Sequence, residues 1–147
     1  SQRRSFALHE VTNEIVLTLR PLIRRSEVSI EVQVPEDLWF DSYPGPLGQV
    51  LTNLLSNAVT HAFEGRSERR IRIEAEALAS GRVGIRVADN GEGFNSKTSG
   101  TGIGLKNVRE RLRLRYAGEA NLAVVANFPA GVAATLTVPA NGRNAHV

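Results

Sequence analysis

Four polar side chains recur at every fourth position of one apolar segment: Gln49, Asn53, Asn57 and His61. Residues spaced by four form one row along an α-helix, which drifts by about 40° per step. Mg²⁺ prefers oxygen ligands and keeps water and phosphate oxygens around it, so a weak ligand such as an amide oxygen is sufficient. The row therefore suits an Mg²⁺ site. Amides that cap or bridge neighbouring elements, and a histidine at the rim of a core, would account for the same residues. The helix alone leaves this choice open.

A glycine-rich stretch over residues 89–105 is the second place where the sequence could bind a ligand. It opens with the carboxylate of Asp89 at the end of an alternating segment, and its glycines allow the backbone to approach a ligand closely. It ends at the start of a predicted helix, whose first N–H groups favour anions such as phosphate. The stretch lacks the Gly-Lys-Ser/Thr of a P-loop and does not follow a first βα turn. Alone, it is also consistent with a flexible hairpin.

The elements that must position these residues follow from hydrophobic periodicity. Three amphipathic helices can cover one face of a sheet. The predicted fold class is therefore α+β: a two-layer α/β sandwich whose mixed, mostly antiparallel sheet of about five strands is covered on one face by three helices. The predicted helices span residues 8–23 (with Pro21 near the end as a kink or stop), 46–62 and 103–116, and the predicted strands span 28–34, 38–40, 70–77, 83–88, 121–126 and 132–138.

Length and composition describe one globular domain. The chain has 147 residues, of which 41% are hydrophobic and 22% charged. We assign residues 6–140 to this domain and predict a disordered tail over 141–147. No apolar run is long enough for a membrane span, and the absence of cysteine excludes disulfides and thiolate chemistry. The net charge of +3 is spread along the chain, which argues against nucleic-acid binding. The chain starts at Ser1 and contains no Met, so we expect a piece of a longer protein.

Taken together and in this order, the motifs resemble those of the GHKL ATPase superfamily, which has the Bergerat fold. Specifically, they resemble the catalytic and ATP-binding (HATPase_c) domain of bacterial two-component sensor histidine kinases. Residues 49–62, Gln-Val-Leu-Thr-Asn-Leu-Leu-Ser-Asn-Ala-Val-Thr-His-Ala, are similar to the N box of that family. Residues 89–94, Asp-Asn-Gly-Glu-Gly-Phe, are similar to its G1 box, and residues 100–105, Gly-Thr-Gly-Ile-Gly-Leu, to its G2 box. The resemblance covers about residues 6–139.

The resemblance implies ATP and Mg²⁺ as cofactors and assigns roles to individual residues. It implies that Asn57 coordinates an Mg²⁺ ion bridging the ATP phosphates and that Asn53 assists with the metal or its water, so both are expected catalytic residues. It implies that Asp89 accepts a hydrogen bond from the adenine amino group, and that Gly91 and Gly93 give adenine access. The remaining nucleotide-binding residues that it implies are His61 beside the nucleotide and, near the phosphates, Lys97, Gly100, Thr101, Gly102, Gly104 and Leu105. A solvated lysine would equally explain Lys97.

The implied function is histidine kinase activity. Hydrolytic relatives carry a Glu general base at the position of Asn53, and an amide has no basic pKa suited to that role. We therefore expect transfer of the γ-phosphoryl group to a histidine on a separate dimerisation domain of the same kinase, and onward transfer to a response regulator Asp. The fragment alone should have little activity. We expect a cytoplasmic domain that does not itself contact the membrane. This expectation also covers a domain that belongs to the cytoplasmic part of a membrane-anchored sensor. An anti-sigma-factor-type serine kinase and a degenerate regulatory nucleotide-binding module are the alternatives.

Overall fold

The computed structural model describes residues 2–61, 68–91 and 101–141 of the chain. Within these ranges, strands and helices alternate as the hydrophobic pattern predicts. The strands are β1 (Arg4–Ala7), β2 (Ser29–Gln33), β3 (Trp39–Ser42), β4 (Arg70–Ala77), β5 (Arg82–Asp89), β6 (Asn121–Ala126) and β7 (Val132–Pro139), and the helices are α1 (Leu8–Thr18), α2 (Arg20–Arg25), α3 (Pro44–His61) and α4 (Thr101–Tyr116).

Five strands form the main sheet in the order β2-β4-β5-β7-β6. The pair β2–β4 is parallel and the other three pairs are antiparallel. In β5, Val83, Ile85 and Val87 are buried and belong to the hydrophobic core that the sheet shares with the helices. Because side chains alternate along a strand, even-numbered positions of β5 point to the other, open face. The predicted α+β fold with a mixed, mostly antiparallel five-stranded sheet is confirmed.

Helix α3 forms much of the layer that covers this sheet. Its apolar stripe is buried as the helical spacing predicts, and the helix packs against α1, α4 and β5. Burying one such side chain completely contributes about 1.5–3 kcal/mol, so the stripe fixes the rotation of the helix and thereby the direction of its polar row. The buried residues of the stripe are Leu47, Val50, Leu51, Leu54, Leu55 and Val59.

The first predicted helix is two helices. Helix α1 ends at Thr18 and α2 begins at Arg20, with Pro21 in its first turn. Proline has no N–H to donate, and its ring clashes with the carbonyl four residues earlier, so it interrupts the interior of a helix. In the first turn of a helix neither problem arises, and proline is accepted there. In the described part of the chain, four helices therefore form the layer for which the periodicity indicates three.

A second, two-stranded sheet pairs β1 with β3 in antiparallel register. Strand β1 is not predicted from the sequence, because four residues with one large apolar side chain carry no readable period. Its partner supplies the reason for the strand: Phe6 stacks on Phe40 with ring centroids 5.4 Å apart. Asn141 lies beside this sheet, where it forms an isolated bridge with Asp41 and accepts a hydrogen bond from Arg3. Residues 142–147, the rest of the predicted disordered tail, lie outside the described residues.

None of the helices in the described part of the chain combines the length and apolar character needed to cross a bilayer.

Candidate functional site

The polar row lies on helix α3, as predicted. Gln49 is exposed, whereas Asn53 and Asn57 are half-buried. Neither amide side chain forms a hydrogen bond with another residue in the described part of the chain. The neighbouring hydroxyl of Thr52 instead donates to its own helix, to the Gly48 carbonyl at 2.7 Å. Because both amides are partly exposed and have no partner among the described residues, their oxygens are suited to an external ligand. His61 is the last residue of the helix, and its side chain lies outside the description.

Asp89 ends strand β5 and is the most deeply buried charged residue in the described ranges, with 6% of its surface exposed. It continues the odd-numbered series of β5, so its carboxylate lies on the face covered by the helices. Its Oδ1 atom accepts the N–H of Gly91 at 2.9 Å and that of Val132 at 3.2 Å. Its Oδ2 atom accepts no hydrogen bond from any described residue. Burial raises the pKa of this carboxyl above its ordinary value, and the two N–H bonds lower it by less.

The Gly91 bond is an Asx turn, in which an Asp side chain accepts the N–H two residues later. Gly91 itself is buried. It therefore helps to orient the carboxylate, in addition to the predicted role of admitting a base. Gly93, Lys97 and Gly100 lie outside the described residues, so their predicted roles stay predictions.

Helix α4 begins at Thr101, inside the last glycine motif. The backbone of Thr101, Gly102 and Gly104 therefore forms the first turn, where N–H groups have no partner within the helix. Such a turn suits a phosphate, whose charge the helix dipole also favours. Leu105 is half-buried and packs against the hydrophobic core, which anchors this end of the helix.

Packing brings together the elements that carry the three motifs. Helix α3 contacts both β5 and α4. The amide row, the strand that ends in the buried carboxylate and the helix that begins in the glycine motif are thus neighbours. The described residues thus bring together amide oxygens, a carboxylate acceptor and, in the first turn of α4, N–H groups without a partner inside the helix, which are groups suited to a metal-bound nucleotide.

Two residues at this site were not predicted from the sequence. Both lie in the connection between β6 and β7. Asn127 donates its Nδ2 to the main-chain oxygen of Asp89 at 2.8 Å. Gly131 has a φ of 101°, and a Cβ added there would lie 2.0 Å from the same oxygen. The glycine between two strands signals a turn, but no local pattern indicates what that turn contacts.

Comparison with known proteins agrees with this geometry. The profile of the family "Histidine kinase-, DNA gyrase B-, and HSP90-like ATPase" matches residues 43–142. The autoinducer 2 sensor kinase/phosphatase LuxQ of Vibrio vulnificus is 31% identical over 97 residues, which cover 64% of this chain and 11% of LuxQ. The sensor histidine kinase YesM of Bacillus subtilis is 36% identical over 94 residues, which cover 60% of this chain and 16% of YesM. The chain thus matches only a small part of these relatives.

Among solved structures, the catalytic domain of the histidine kinase ThkA superposes with a TM-score of 0.78 over 98% of this chain and 99% of that one. At 22% identity, this likeness shows the fold. The family profile matches well over half of the chain, and the resemblance noted from the three motifs is confirmed. The chain belongs to the histidine kinase-, DNA gyrase B- and HSP90-like ATPase family.

Proposed function

We propose that this domain binds Mg-ATP and donates the γ-phosphoryl group to a histidine on the dimerisation domain of a sensor kinase. The observation that carries the proposal is the state of Asp89. Its Oδ1 is fixed by two main-chain donors, and its Oδ2 is left as an acceptor without a partner in the described part of the chain. Because Oδ2 has no partner among the described residues, it can accept a charge-assisted hydrogen bond from a ligand that offers an N–H donor.

Adenine provides that donor through its exocyclic amino group, whereas guanine presents a carbonyl oxygen at the same ring position. A carboxylate oxygen repels this carbonyl, so Asp89 selects the base by its chemistry as well as by shape. The two bonds to Oδ1 hold the carboxylate before the base arrives, which reduces the entropy lost on binding.

The other groups fit the phosphates and their metal. Amide oxygens of Asn57 and Asn53 are suitable ligands for Mg²⁺, directly or through its water, and the first turn of α4 offers N–H donors to phosphate oxygens. When bound, Mg²⁺ supplies neutralisation of the phosphate charge. In this proposal, Asn57 and the α4 turn orient the phosphoryl chain. Asn53 cannot take a proton from water, which disfavours hydrolysis.

The proposal extends to partners because the relatives are sensor kinases by name. We propose a phosphoacceptor histidine on a separate dimerisation domain of the same kinase, with a response regulator as the next acceptor, and a cytoplasmic location. A serine kinase of the anti-sigma-factor type is disfavoured by Asn53. A degenerate regulatory module is disfavoured because Asn57 and Asp89 are both present.

A calorimetric titration of this chain with ADP and a non-hydrolysable ATP analogue, with and without Mg²⁺, tests nucleotide binding. We expect saturable, Mg²⁺-dependent binding between micromolar and sub-millimolar Kd, about −8 to −5 kcal/mol. Absence of binding with a folded chain would contradict the proposal. Addition of a separately purified dimerisation domain and ATP should then give an acid-labile phosphohistidine, whereas an acid-stable phosphoserine would favour the alternative kinase class.

Asp89→Asn tests base recognition with little change in shape. The Asn oxygen can still accept from Gly91 and Val132, but an NH₂ group replaces the free acceptor. We expect ADP to bind at least about tenfold more weakly, the equivalent of one charge-assisted hydrogen bond, and GDP to bind no more weakly than before. Equal losses for ADP and GDP would show that Asp89 has only a structural role.

A further inference from the structure

The ladder between β5 and β7 ends irregularly at Asp89. Its last regular pair is Ala88 with Ala133. In the adjoining hairpin, the Asn127 N–H donates to the Gly131 carbonyl at 2.9 Å. Since hydrogen-bonding directions alternate along an antiparallel strand, the next N–H of β7, that of Val132, points toward β5. A regular ladder would pair it with the main-chain oxygen of Asp89, but it donates to the side-chain Oδ1 at 3.2 Å.

The main-chain oxygen of Asp89 is satisfied instead by the side chain of Asn127, whose Nδ2 lies 2.8 Å away. The Oδ1 of Asn127 accepts from the Nη2 of Arg86 at 3.0 Å. This orientation of the amide is unique, because arginine can only donate and a carbonyl can only accept. Arg86 in turn pairs with Glu74 at 2.9 Å. Arg86 is at an even-numbered position of β5, so this chain of contacts lies on the open face of the sheet, opposite the carboxylate.

We propose that Asn127 is a positioning residue for adenine selection, acting through Asp89. The proposal rests on the adenine site described above. By occupying the main-chain oxygen, Asn127 leaves the Val132 N–H free to hold the carboxylate. Without the amide donor, the oxygen of Asp89 would compete for that N–H and form the regular ladder bond. The carboxylate would then lose one of its two donors and its fixed direction, although no residue facing the base had changed.

The test compares Asn127→Asp with Asn121→Asp in this 147-residue chain. Asn127→Asp keeps the size of the side chain and can still accept from Arg86, but presents an oxygen to the Asp89 carbonyl. The site borders a cleft of about 490 Å³ on the open face, so the added charge is close to solvent. Asn121 is exposed at the start of the same hairpin and makes no side-chain hydrogen bond within the described part of the chain. It therefore matches the charge change without the contact.

The readout is the ratio of the dissociation constants for IDP and ADP, which differ in the exocyclic amino group. We expect Asn127→Asp to weaken ADP about tenfold, the equivalent of one lost hydrogen bond, to leave IDP unchanged, and therefore to reduce the ratio by the same factor. Asn121→Asp should keep the ratio of the unsubstituted chain. An unchanged ratio would overturn the inference, whether Asn127→Asp weakens the binding of both nucleotides equally, as a purely structural role would, or of neither.

Two further outcomes separate this inference from the proposed function. If the unsubstituted chain fails to bind ADP, or binds ADP and IDP equally, the adenine site itself is wrong. If circular dichroism shows that Asn127→Asp does not fold, Arg86→Met decides, because it removes the group that orients Asn127 and leaves the amide in place. We expect Arg86→Met to reduce the ratio about threefold, as suits a partly exposed contact. A folded Arg86→Met chain with an unchanged ratio would overturn the inference.

Discussion

Gly131→Ala is the substitution for which the structure gives the clearest magnitude. The residue has a φ of 101°, and its added Cβ would lie 2.0 Å from the main-chain oxygen and 2.7 Å from Oδ1 of Asp89. Side-chain carbons essentially never approach other atoms within 3.0 Å, so the two backbones must separate by about 1 Å. The contacted atoms belong mainly to backbone, which cannot rotate away as the end of a long side chain can.

The chain offers a matched control for the conformational part of this cost. Gly118 has a φ of 87°, and a Cβ there would meet nothing within 4 Å. Both alanine variants should lose about 1–3 kcal/mol because an L-residue is strained at such angles. Only Gly131→Ala also displaces Asp89 and weakens its bonds to Asn127 and Val132, at about 0.5–1.5 kcal/mol each. We expect the free energy of unfolding to fall by about 1–3 kcal/mol more in Gly131→Ala than in Gly118→Ala.

The assay is urea unfolding of both variants, followed by ADP titration under conditions where each is folded. A displacement of 1 Å removes the carboxylate from hydrogen-bonding distance of a base, so Gly131→Ala should bind ADP at least about tenfold more weakly. Gly118→Ala should bind ADP as the unsubstituted chain does. Equal unfolding free energies for the two variants, or full ADP affinity in Gly131→Ala, would refute the argument that the hairpin supports Asp89.

Two further predictions concern the metal and pH. In the unsubstituted chain, Mg²⁺ should strengthen ADP binding about tenfold or more, and Asn57→Ala should abolish this effect. Gln49→Ala, an exposed position on the same row, should retain it. Mg²⁺-dependent binding in Asn57→Ala would rule out the ligand assignment. Burial raises the Asp89 pKa above 3.8. As pH decreases, ADP affinity should therefore begin to fall at a higher pH than it would with an ordinary aspartate. Asp89→Asn should show no such step in titrations from about pH 4 to 7. Because the Asp89 pKa is raised in the folded state, its contribution to the free energy of unfolding is fully present below pH 3.8 and is lost as pH rises through the folded pKa. Urea unfolding of the unsubstituted chain and of Asp89→Asn over this pH range measures the difference.

The sequence predicted the main sheet well because its strands either alternate clearly or form short apolar runs between polar and turn residues. The predicted bounds of β4 and β6, residues 70–77 and 121–126, are those observed. Strand β4 shows a two-residue period, and β6 is a short apolar run that ends at a polar residue, Asn127. Strand β1 and the break at Leu19 were harder to predict for opposite reasons. The first depends on pairing with a distant partner, and the second interrupts an apolar pattern that continues across it.

At the candidate site, residues that act through local geometry were predictable. The Asx turn of Asp89 involves Gly91, two positions away, and the amide row repeats within a single helix. Such relations are determined by the backbone period and need no knowledge of the fold. For residues proposed to act on a ligand, such as Asn57, the resemblance to a family was needed to choose between a metal ligand and a capping amide.

The support of the carboxylate is a property of the fold. Asn127 is 38 positions from Asp89 in sequence, and it contacts Asp89 because β7 lies between β5 and β6 in the sheet. An asparagine in a hairpin is usually explained by turn preference alone, so its sequence context gives no sign of this second contact. It follows that loss of nucleotide binding by a substitution in residues 127–132 does not identify a ligand contact. A change of the IDP to ADP ratio there should be interpreted as displacement of Asp89, whereas a loss common to both nucleotides indicates damage to the sheet.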